Sequence, residues 1–405
     1  MRTTRLYYDD AYRRAFDAVV TARQAIAGKP VVALDQTVFY PTGGGQPCDV
    51  GVLRLAGGQA VPVVDVFADD EWVWHVLDRD LEGDAVHGEI DWDRRFDHMQ
   101  QHTGQHVLSQ AFIVTADAET VAFHLGEKAS TIDLNRTDLD TAALARAEAA
   151  ANAVVDAALP VTASFVSPEE LAHLPLRKPP KVTENIRIVQ VAGFDWSACG
   201  GTHVAYTSHI QLIKIVGTER RGSELRVSFL CGRRGRADYA RLKALAQGLV
   251  ARYTASEDDM LDLLDRRAAE ADALRKDVAE LEKQWAESTA AALYGEATPA
   301  NGVRFVAAAL EVNVERAKKV AQALRTRPGV VACIGVQGER PQILATRSDD
   351  VMIDANALLR AAVAAGGGRG GGRPDWAQGG VPTNEALSAA MAAAAVAFDA
   401  AAKGS

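Results

Sequence analysis

The sequence predicts a multidomain α+β protein. Short β-branched and aromatic runs fill its N-terminal part, and a polar helical stretch with a heptad pattern lies past the middle. Strands alternate with helices on both sides of that stretch. A chain of 405 residues is long enough for several domains with cores of their own. We expect a β-rich domain, an α+β domain, a helical connector and an α/β domain, over residues 1–92, 93–240, 241–297 and 298–405.

The composition is that of a soluble globular protein, since 48% of the residues are hydrophobic and 24% are charged. The N-terminus lacks a signal-peptide pattern, and no apolar stretch approaches the roughly 18 residues that a membrane span needs. Four cysteines in so long a chain do not resemble a disulfide framework. We therefore expect a cytoplasmic protein with reduced thiols and no membrane partner, whose alanine-rich stretch 389–397 is a packed helix.

The β-rich domain is predicted from short runs separated by Gly, Pro and Asp turns, a spacing typical of a barrel or a sandwich. The runs are Val31–Leu34, Thr37–Tyr40, Val61–Val66 and Glu71–Val76. A short helix is expected before them, at Asp9–Ala27. One turn, Phe39–Gln46, contains Gly43, Gly44 and Gly45, which permit close backbone approach. It is either a bulged hairpin turn or a loop that packs against a ligand.

The α+β domain begins with a helix after Asp91 that carries His102 and His106. A hairpin, an alanine-rich helix and three strands are expected to follow, at 120–134, 141–159, 186–192, 210–216 and 225–230. Basic residues gather in the segments 173–190 and 214–243. A nucleic-acid substrate is therefore compatible with this domain, although the net charge of the whole chain is −9.

Two short motifs offer metal ligands: His102-Thr-Gly-Gln-His106 and Cys199-Gly-Gly-Thr-His203. Histidines four residues apart lie on one helix face, and the glycines after Cys199 allow a tight turn that aims both side chains at one ion. One thiolate and three imidazoles suit Zn²⁺. The alternative is a buried free cysteine and histidines without a metal. Four protein ligands are typical of a closed structural site, so a zinc-bound water as catalyst requires one position to open.

The connector is predicted from apolar residues at heptad spacing between Met260 and Trp285. This seam fits a helical hairpin within one chain or a coiled coil in a homodimer. The C-terminal domain shows strands at 303–308, 329–336 and 342–346, and helices at 314–327, 355–365 and 384–402. Between its last two helices a glycine-rich loop, Gly366–Gly380, offers backbone N–H groups and two arginines to phosphate or another anion. A flexible tract is the other interpretation.

In their order and spacing, Phe39–Gln46 and the two histidine motifs resemble the editing region of alanyl-tRNA synthetases. They resemble more closely the free-standing AlaX trans-editing proteins, and Gly366–Gly380 resembles the glycine-rich loop of the synthetase C-terminal domain. The resemblance covers nearly the whole chain. It implies an N-terminal β-barrel, an α+β editing domain with a zinc site, and hydrolysis of seryl- and glycyl-tRNA of the alanine isoacceptor. Such a second sieve is needed because a pocket built for alanine rejects glycine and serine poorly.

The resemblance also implies roles for single residues. The zinc ligands are His102, His106, Cys199 and His203, with Gln105 facing the aminoacyl ester as a catalytic residue. The tRNA 3′ end is bordered by Gly43, Gly44, Gly45 and Gln46, and the amino-acid pocket by Thr120, Phe123 and His124. From charge, we expect tRNA contacts from Arg177, Lys178, Lys181, Arg369 and Arg373.

The chain departs from the family at Thr207–Gln211, where many relatives have Thr-Gly-Glu-Ile-Gly and where His209 adds an imidazole. We expect no ATP-binding synthetase core, because the barrel begins within the first forty residues, and therefore action in trans. Two other functions stay open: threonine-type aminoacyl-tRNA editing, and non-catalytic tRNA binding with a structural zinc. A phosphoesterase has support only from the C-terminal loop. A homodimer can form through the connector or the C-terminal domain.

Overall fold

The computed structural model describes residues 2–180 and 182–403, and the chain divides after Arg252 into two compact units. The first unit opens with eight strands: β1 Thr4–Arg5, β2 Ala15–Ile26, β3 Lys29–Leu34, β4 Gln36–Thr37, β5 Gly51–Leu55, β6 Ala60–Ala68, β7 Val73–Leu77 and β8 Ala85–Ile90. Six of them close a barrel in the order β2-β3-β7-β6-β5-β8. Phe16, Val32, Leu53 and Leu77 are among the residues buried in its core. The barrel is therefore confirmed and the sandwich is excluded, while the predicted domain bounds stay a prediction.

The helix predicted at Asp9–Ala27 is wrong, because most of this segment is strand β2. Its first half alternates strictly, with Phe16 and Ala18 buried and Asp17 and Val19 exposed. A period of two places successive side chains on opposite faces of a strand. The β-branched residues of the segment favour the same conformation. Pairing with β8 then fixes the strand in the barrel wall.

The rest of the first unit is an α+β fold built around one long helix. Its elements are α1 Trp92–Ala116, β9 Thr120–Leu125, β10 Ser130–Leu134, α2 Thr141–Asp156, β11 Val161–Phe165, α3 Pro168–Leu171, β12 Arg187–Val191, β13 Asp195–Ala198, β14 Ile213–Arg221, β15 Glu224–Cys231 and α4 Gly232–Tyr253. Two sheets form, in the orders β14-β15-β10-β9 and β11-β12-β13. The core packs Leu108 and Phe112 of α1 against Ala151 of α2 and Phe229 of β15. The predicted hairpin β9–β10 is confirmed.

A buried ion pair fixes α1 to the barrel. Arg95 lies on α1, and Asp49 follows the turn Phe39–Gln46. The side chains of both residues are fully buried. Arg95 Nε donates to Asp49 Oδ1 at 3.0 Å, and Arg95 Nη1 donates to the backbone oxygen of Ala11 at 2.9 Å. The N-cap of α1 is Asp91, whose carboxylate accepts from the backbone of Arg94. The helix therefore holds a defined position against the turn Phe39–Gln46.

The second unit, as far as its residues are described, contains a six-stranded sheet and four helices. Its elements are α5 Met260–Glu296, β16 Pro299–Ala300, β17 Val303–Leu310, α6 Val314–Arg325, β18 Val330–Val336, β19 Gln342–Arg347, α7 Ala355–Ala365, β20 Arg369–Arg373, β21 Trp376–Gly380 and α8 Asn384–Lys403. The sheet order is β16-β17-β18-β19-β21-β20, in which β17 and β18 run parallel. On α5, the seam residues Leu274, Val278 and Leu281 are more than half exposed. Both the hairpin and the homodimer stay predictions.

The glycine-rich segment Gly366–Gly380 is not a loop, because most of it forms the hairpin β20–β21. The backbone N–H groups of β21 therefore serve the strand ladder, while β20 lies at the edge of the sheet and pairs on one side only, so anion binding by this segment stays a prediction. A Cβ at Gly370 would lie 2.5 Å from the Cα of Gly379, so the two strands approach closely only because both residues are glycine. Arg369 and Arg373 lie exposed on β20.

Among the described residues, one helix, α8, is long and apolar enough to cross a membrane by length and composition, so the expectation about apolar stretches is wrong for it. One face of α8 is buried in the second unit, through Leu387, Ala390, Ala394 and Phe398. The alanine-rich stretch is therefore a packed helix, as predicted. All four cysteines lie among the described residues and are free, as expected.

Candidate metal centre

Two elements bring the predicted ligands together. Helix α1 carries His102 and His106 one turn apart, and strand β13 leads into the turn that holds Cys199 and His203. The four candidate donor atoms all lie within 4.8 Å of one another. Cys199 Sγ is 3.4 Å from His102 Nε2 and 3.3 Å from His203 Nε2. Tetrahedral zinc, with its usual bond lengths, separates sulfur from nitrogen by about 3.5 Å, so this donor set fits the ion.

Each histidine of the cluster is oriented through its other ring nitrogen. A protein oxygen lies against every Nδ1, which leaves Nε2 directed at the centre of the cluster. Outer hydrogen bonds of this kind fix the tautomer and ring position of metal-binding histidines. The pairs are His102 Nδ1 with Gln46 Oε1 at 2.9 Å, His106 Nδ1 with Asp195 Oδ2 at 3.1 Å, and His203 Nδ1 with Thr103 Oγ1 at 3.1 Å.

The electrostatics of the cluster favour a thiolate. Burial raises the pKa of the Cys199 thiol, but His102 and His203 beside it bring that pKa well below its ordinary value. Burial lowers the pKa of His106, and the hydrogen bond to Asp195 and the thiolate outweigh it, so the pKa rises to about 9. Burial lowers the pKa of His203 to about 3. Metal binding requires a thiolate and neutral imidazoles, so an ion that binds here displaces the proton that the raised pKa keeps on His106.

The ligand turn is packed against His102 and tied down by an arginine. A Cβ at Gly201 would lie 2.2 Å from His102 Cε1, so only glycine fits there. Arg187 Nη1 donates to the backbone oxygens of Cys199 at 3.0 Å and Gly201 at 2.8 Å. The Gly201 N–H in turn points to Cys199 Sγ at 3.4 Å. The turn is thus held in the conformation that presents the thiolate to the cluster.

A cavity of about 750 Å³ opens beside the cluster, with His106 and Cys199 in its wall. Seven other predicted site residues line it: Gly44, Gly45, Gln105, Thr120, Phe123, Arg177 and Lys178. A Cβ at Gly45, which has a φ of +80°, would lie 2.5 Å from the Phe123 ring, so this position requires glycine for two reasons. The turn Phe39–Gln46 is therefore a tight turn that also faces the cavity.

Other predicted residues lie elsewhere. Gln46 is 1% exposed and is directed at His102 and Thr202, so it orients a ligand and does not line the cavity. Gly43 bridges to Gln46 within the turn, and His124 lies on the exposed side of β9. His209 Nδ1 is 2.7 Å from Tyr12 Oη and does not belong to the cluster. Lys181 falls outside the described residues, and Arg369 and Arg373 belong to the second unit.

Besides Thr103, three residues that support the site were not predicted. Asp195 orients His106, Arg187 holds the ligand turn, and Ser109 Oγ is hydrogen-bonded to Gln105 Nε2 at 2.8 Å and Thr120 Oγ1 at 2.7 Å. The sequence offers a reason to predict Asp195 as a site residue. It precedes Cys199 by four residues, and metal-binding histidines commonly have a carboxylate partner. The roles of Ser109 and Arg187 depend on the fold.

Three protein families match parts of the chain. The family of tRNA synthetases class II (A) matches residues 6–94, and the threonyl and alanyl tRNA synthetase second additional domain matches residues 186–226. The DHHA1 domain matches residues 302–399. The matched segments therefore cover the barrel, the metal-ligand turn and most of the second unit.

Curated relatives extend these matches. The alanine–tRNA ligase of Pyrobaculum neutrophilum is 35% identical over 403 residues, which cover 93% of this chain but 42% of the ligase. The alanyl-tRNA editing protein AlaX-L of Pyrococcus horikoshii is 28% identical over 384 residues, covering 93% of this chain and 94% of that protein. The alanyl-tRNA editing protein Aarsd1 of Danio rerio is 33% identical over 257 residues, covering 62% and 60%. The chain thus spans less than half the length of the ligase.

Proposed function

We propose that the chain, which is an AlaX-type relative of the alanyl-tRNA editing proteins, is a zinc-dependent aminoacyl-tRNA deacylase. Its substrates are seryl-tRNA and glycyl-tRNA of the alanine isoacceptor, which it hydrolyses in trans after another enzyme has charged them. The observation that carries the proposal is the cluster of four candidate metal ligands, two of which, His106 and Cys199, lie in the wall of a cavity. An editing site needs both a hydrolytic centre and a pocket that admits small amino acids.

His102, His106, Cys199 and His203 are the residues that would hold the zinc ion. When bound, zinc supplies Lewis-acid polarisation of the ester carbonyl and a water of lowered pKa. The chain itself supplies the orientation. Asp195, whose side chain is fully buried, fixes the His106 ring from behind, while Cys199 is the most exposed of the four ligands. The cavity therefore meets the cluster on the side where a substrate can enter.

Gln105 provides a hydrogen-bond acceptor without a partner among the described residues at the wall of this cavity. Its side chain is 2% exposed, and its Oε1 has no hydrogen-bond partner among the described residues. Its Nε2 is held by Ser109, which Thr120 also contacts, so the amide has a fixed orientation. A buried acceptor without a partner costs free energy unless a ligand satisfies it. We assign to Gln105 Oε1 the hydrogen bond from the α-ammonium group of the aminoacyl ester.

Positive charge lies at the same cavity. Arg177 Nη1 donates to the backbone oxygen of His106 at 3.1 Å, and Lys178 Nζ donates to that of Thr120. Arg177 therefore lies at the ligand helix and Lys178 at β9, and both line the cavity, where they can meet the phosphates of a tRNA end. Contacts of this kind supply affinity that falls as salt rises.

The test is a deacylation panel. Seryl-, glycyl- and alanyl-tRNA of the alanine isoacceptor and seryl-tRNA of the threonine isoacceptor are incubated with zinc-loaded protein at catalytic concentration. We expect release of serine and glycine from the alanine isoacceptor, with little release of alanine. A Cys199→Ala variant controls for hydrolysis that does not depend on the cluster. Release only from the threonine isoacceptor would establish the threonine-type activity instead. No release from any of these tRNAs would refute the deacylase and favour a non-catalytic tRNA-binding protein with a structural zinc.

A further inference from the structure

We propose that Tyr8, Phe165 and Arg187 form a nucleobase subsite that stacks the terminal adenine of the tRNA 3′ end. This inference rests on the proposed function and deepens it. All three residues line the cavity that contains the metal ligands. The reaction needs the ester at the cluster, but affinity for the substrate also needs a place for the base that follows the ester-bearing ribose.

The rings of Tyr8 and Phe165 form one continuous surface, and the buried guanidinium of Arg187 packs beside it. Phe165 ends β11 and pairs directly with Arg187, which begins β12, so their side chains lie on the same face of the sheet. The Tyr8 ring meets the Phe165 ring edge to face, with the ring centroids 5.5 Å apart and the planes at 87°. The Arg187 guanidinium carbon lies 5.2 Å from the centre of the Tyr8 ring. Two aromatic rings and a guanidinium plane thus stand together.

The outer end of this surface is open to water. Phe165 is 53% exposed, and Val182, which also lines the cavity, is 56% exposed. Apolar side chains that stay open together at the wall of a cavity are typical of a binding surface. Aromatic faces combined with arginine are the usual partners of unpaired nucleobases, because every base has a flat π-face. A single-stranded tRNA end offers such a base.

The surface also begins next to the turn that carries the metal ligands Cys199 and His203. Tyr8 Oη would be 3.6 Å from a Cβ on Gly200, inside the ligand turn, and Arg187 donates to the backbone of Cys199 and Gly201. One end of the surface is therefore the metal-ligand turn itself, and the other end is the exposed ring of Phe165. The amino acid is esterified to the ribose of the terminal adenosine. With the ester at the cluster, the adjoining base lies against this wall.

A binding experiment tests the subsite without requiring hydrolysis. Two fluorescent RNA hairpins carry the acceptor stem of alanine tRNA, and both are uncharged. One hairpin ends in adenosine and the other ends in an abasic ribose. Anisotropy titrations with the full chain give the two dissociation constants. We expect about tenfold tighter binding of the adenosine-ended hairpin, which is within the range measured for one base stacked on an aromatic side chain.

Substitutions at Phe165 test whether this residue provides the preference for the adenosine-ended hairpin. Phe165→Ala removes the preference for adenosine, and Phe165→Tyr, which keeps an aromatic face, retains it. Tyr239→Ala is the matched control, since Tyr239 is a 67% exposed aromatic residue on α4 and leaves the preference unchanged. Equal binding of both hairpins by the unmodified protein, or a preference that survives Phe165→Ala, would overturn the subsite.

Serine release from seryl-tRNA is measured on the same preparations. A preference for adenosine that depends on Phe165, found in a protein that releases no serine, would refute the deacylase and support the subsite. Serine release without any preference between the two hairpins would support the deacylase and refute the subsite. The two failures are therefore distinguishable.

Discussion

Replacing Gly201 by alanine forces the His102 ring of the candidate metal centre out of its position. The new Cβ would lie 2.2 Å from His102 Cε1 and 2.4 Å from its Nδ1, whereas real Cβ contacts essentially never fall below 3.0 Å. The imidazole must therefore retreat by about 0.8 Å or more. It cannot do so cheaply, because His102 is fully buried and its Nδ1 is held by Gln46.

Such a displacement is large on the scale of zinc coordination. Metal–ligand distances are kept within about 0.2 Å of their ideal values, so His102 cannot both avoid the new methyl group and bind the ion. Loss of an outer hydrogen bond typically costs about 10- to 100-fold in metal affinity. Displacement of a ligand should cost at least as much, so we expect the Zn²⁺ dissociation constant of Gly201→Ala to rise about 100-fold or more.

The neighbouring glycine provides the control. A Cβ at Gly200 meets its nearest described neighbour, Tyr8 Oη, at 3.6 Å, which is an ordinary van der Waals contact. Zinc affinity is measured for both variants by competition with a chelating dye, and far-UV circular dichroism verifies that they are folded. Equal affinities for Gly200→Ala and a folded Gly201→Ala would refute the assignment of His102 as a ligand held against this turn.

Two other substitutions test the supports of the centre. Asp195→Asn removes the charge that faces His106 Nδ1, and we expect about 10- to 100-fold weaker zinc binding in the dye competition, while an unchanged affinity would contradict this role. Arg95→Met leaves the Asp49 carboxylate buried without its ion pair, and we expect the first unit to lose about 3–5 kcal/mol in urea unfolding. An unchanged unfolding midpoint would show that the pair contributes little to stability.

The sequence was most informative where a local rule decides the structure. The spacing of His102 and His106 places both rings on one face of α1, and the structure brings them to Cys199 and His203. Closure of the barrel could not be predicted from a local rule of this kind. Closure depends on the pairing of β2 with β8, which joins segments about seventy positions apart. The short strand patterns in the sequence would look the same in a sandwich, so they do not distinguish the two folds.

Residues that act through tertiary contacts were the hardest to predict. Gln46 was expected at the tRNA end, yet its side chain turns inward to His102, which lies 56 positions later in the chain. The segment Gly366–Gly380 was expected to be a loop, because glycine normally disfavours strands. Tertiary packing overrides that preference, since its glycines let β20 and β21 pair closely.

We propose that editing requires a zinc ion at the cluster of His102, His106, Cys199 and His203. Metal-free protein titrated with Zn²⁺ tests this requirement through the release of serine from seryl-tRNA of the alanine isoacceptor. We expect no release above spontaneous hydrolysis without zinc, a rise to a plateau at one ion per chain, and no rise in Cys199→Ala. A fully zinc-loaded protein that leaves seryl-tRNA intact would refute editing at this cluster, and a metal-free protein that hydrolyses seryl-tRNA at the same rate would refute the requirement for zinc.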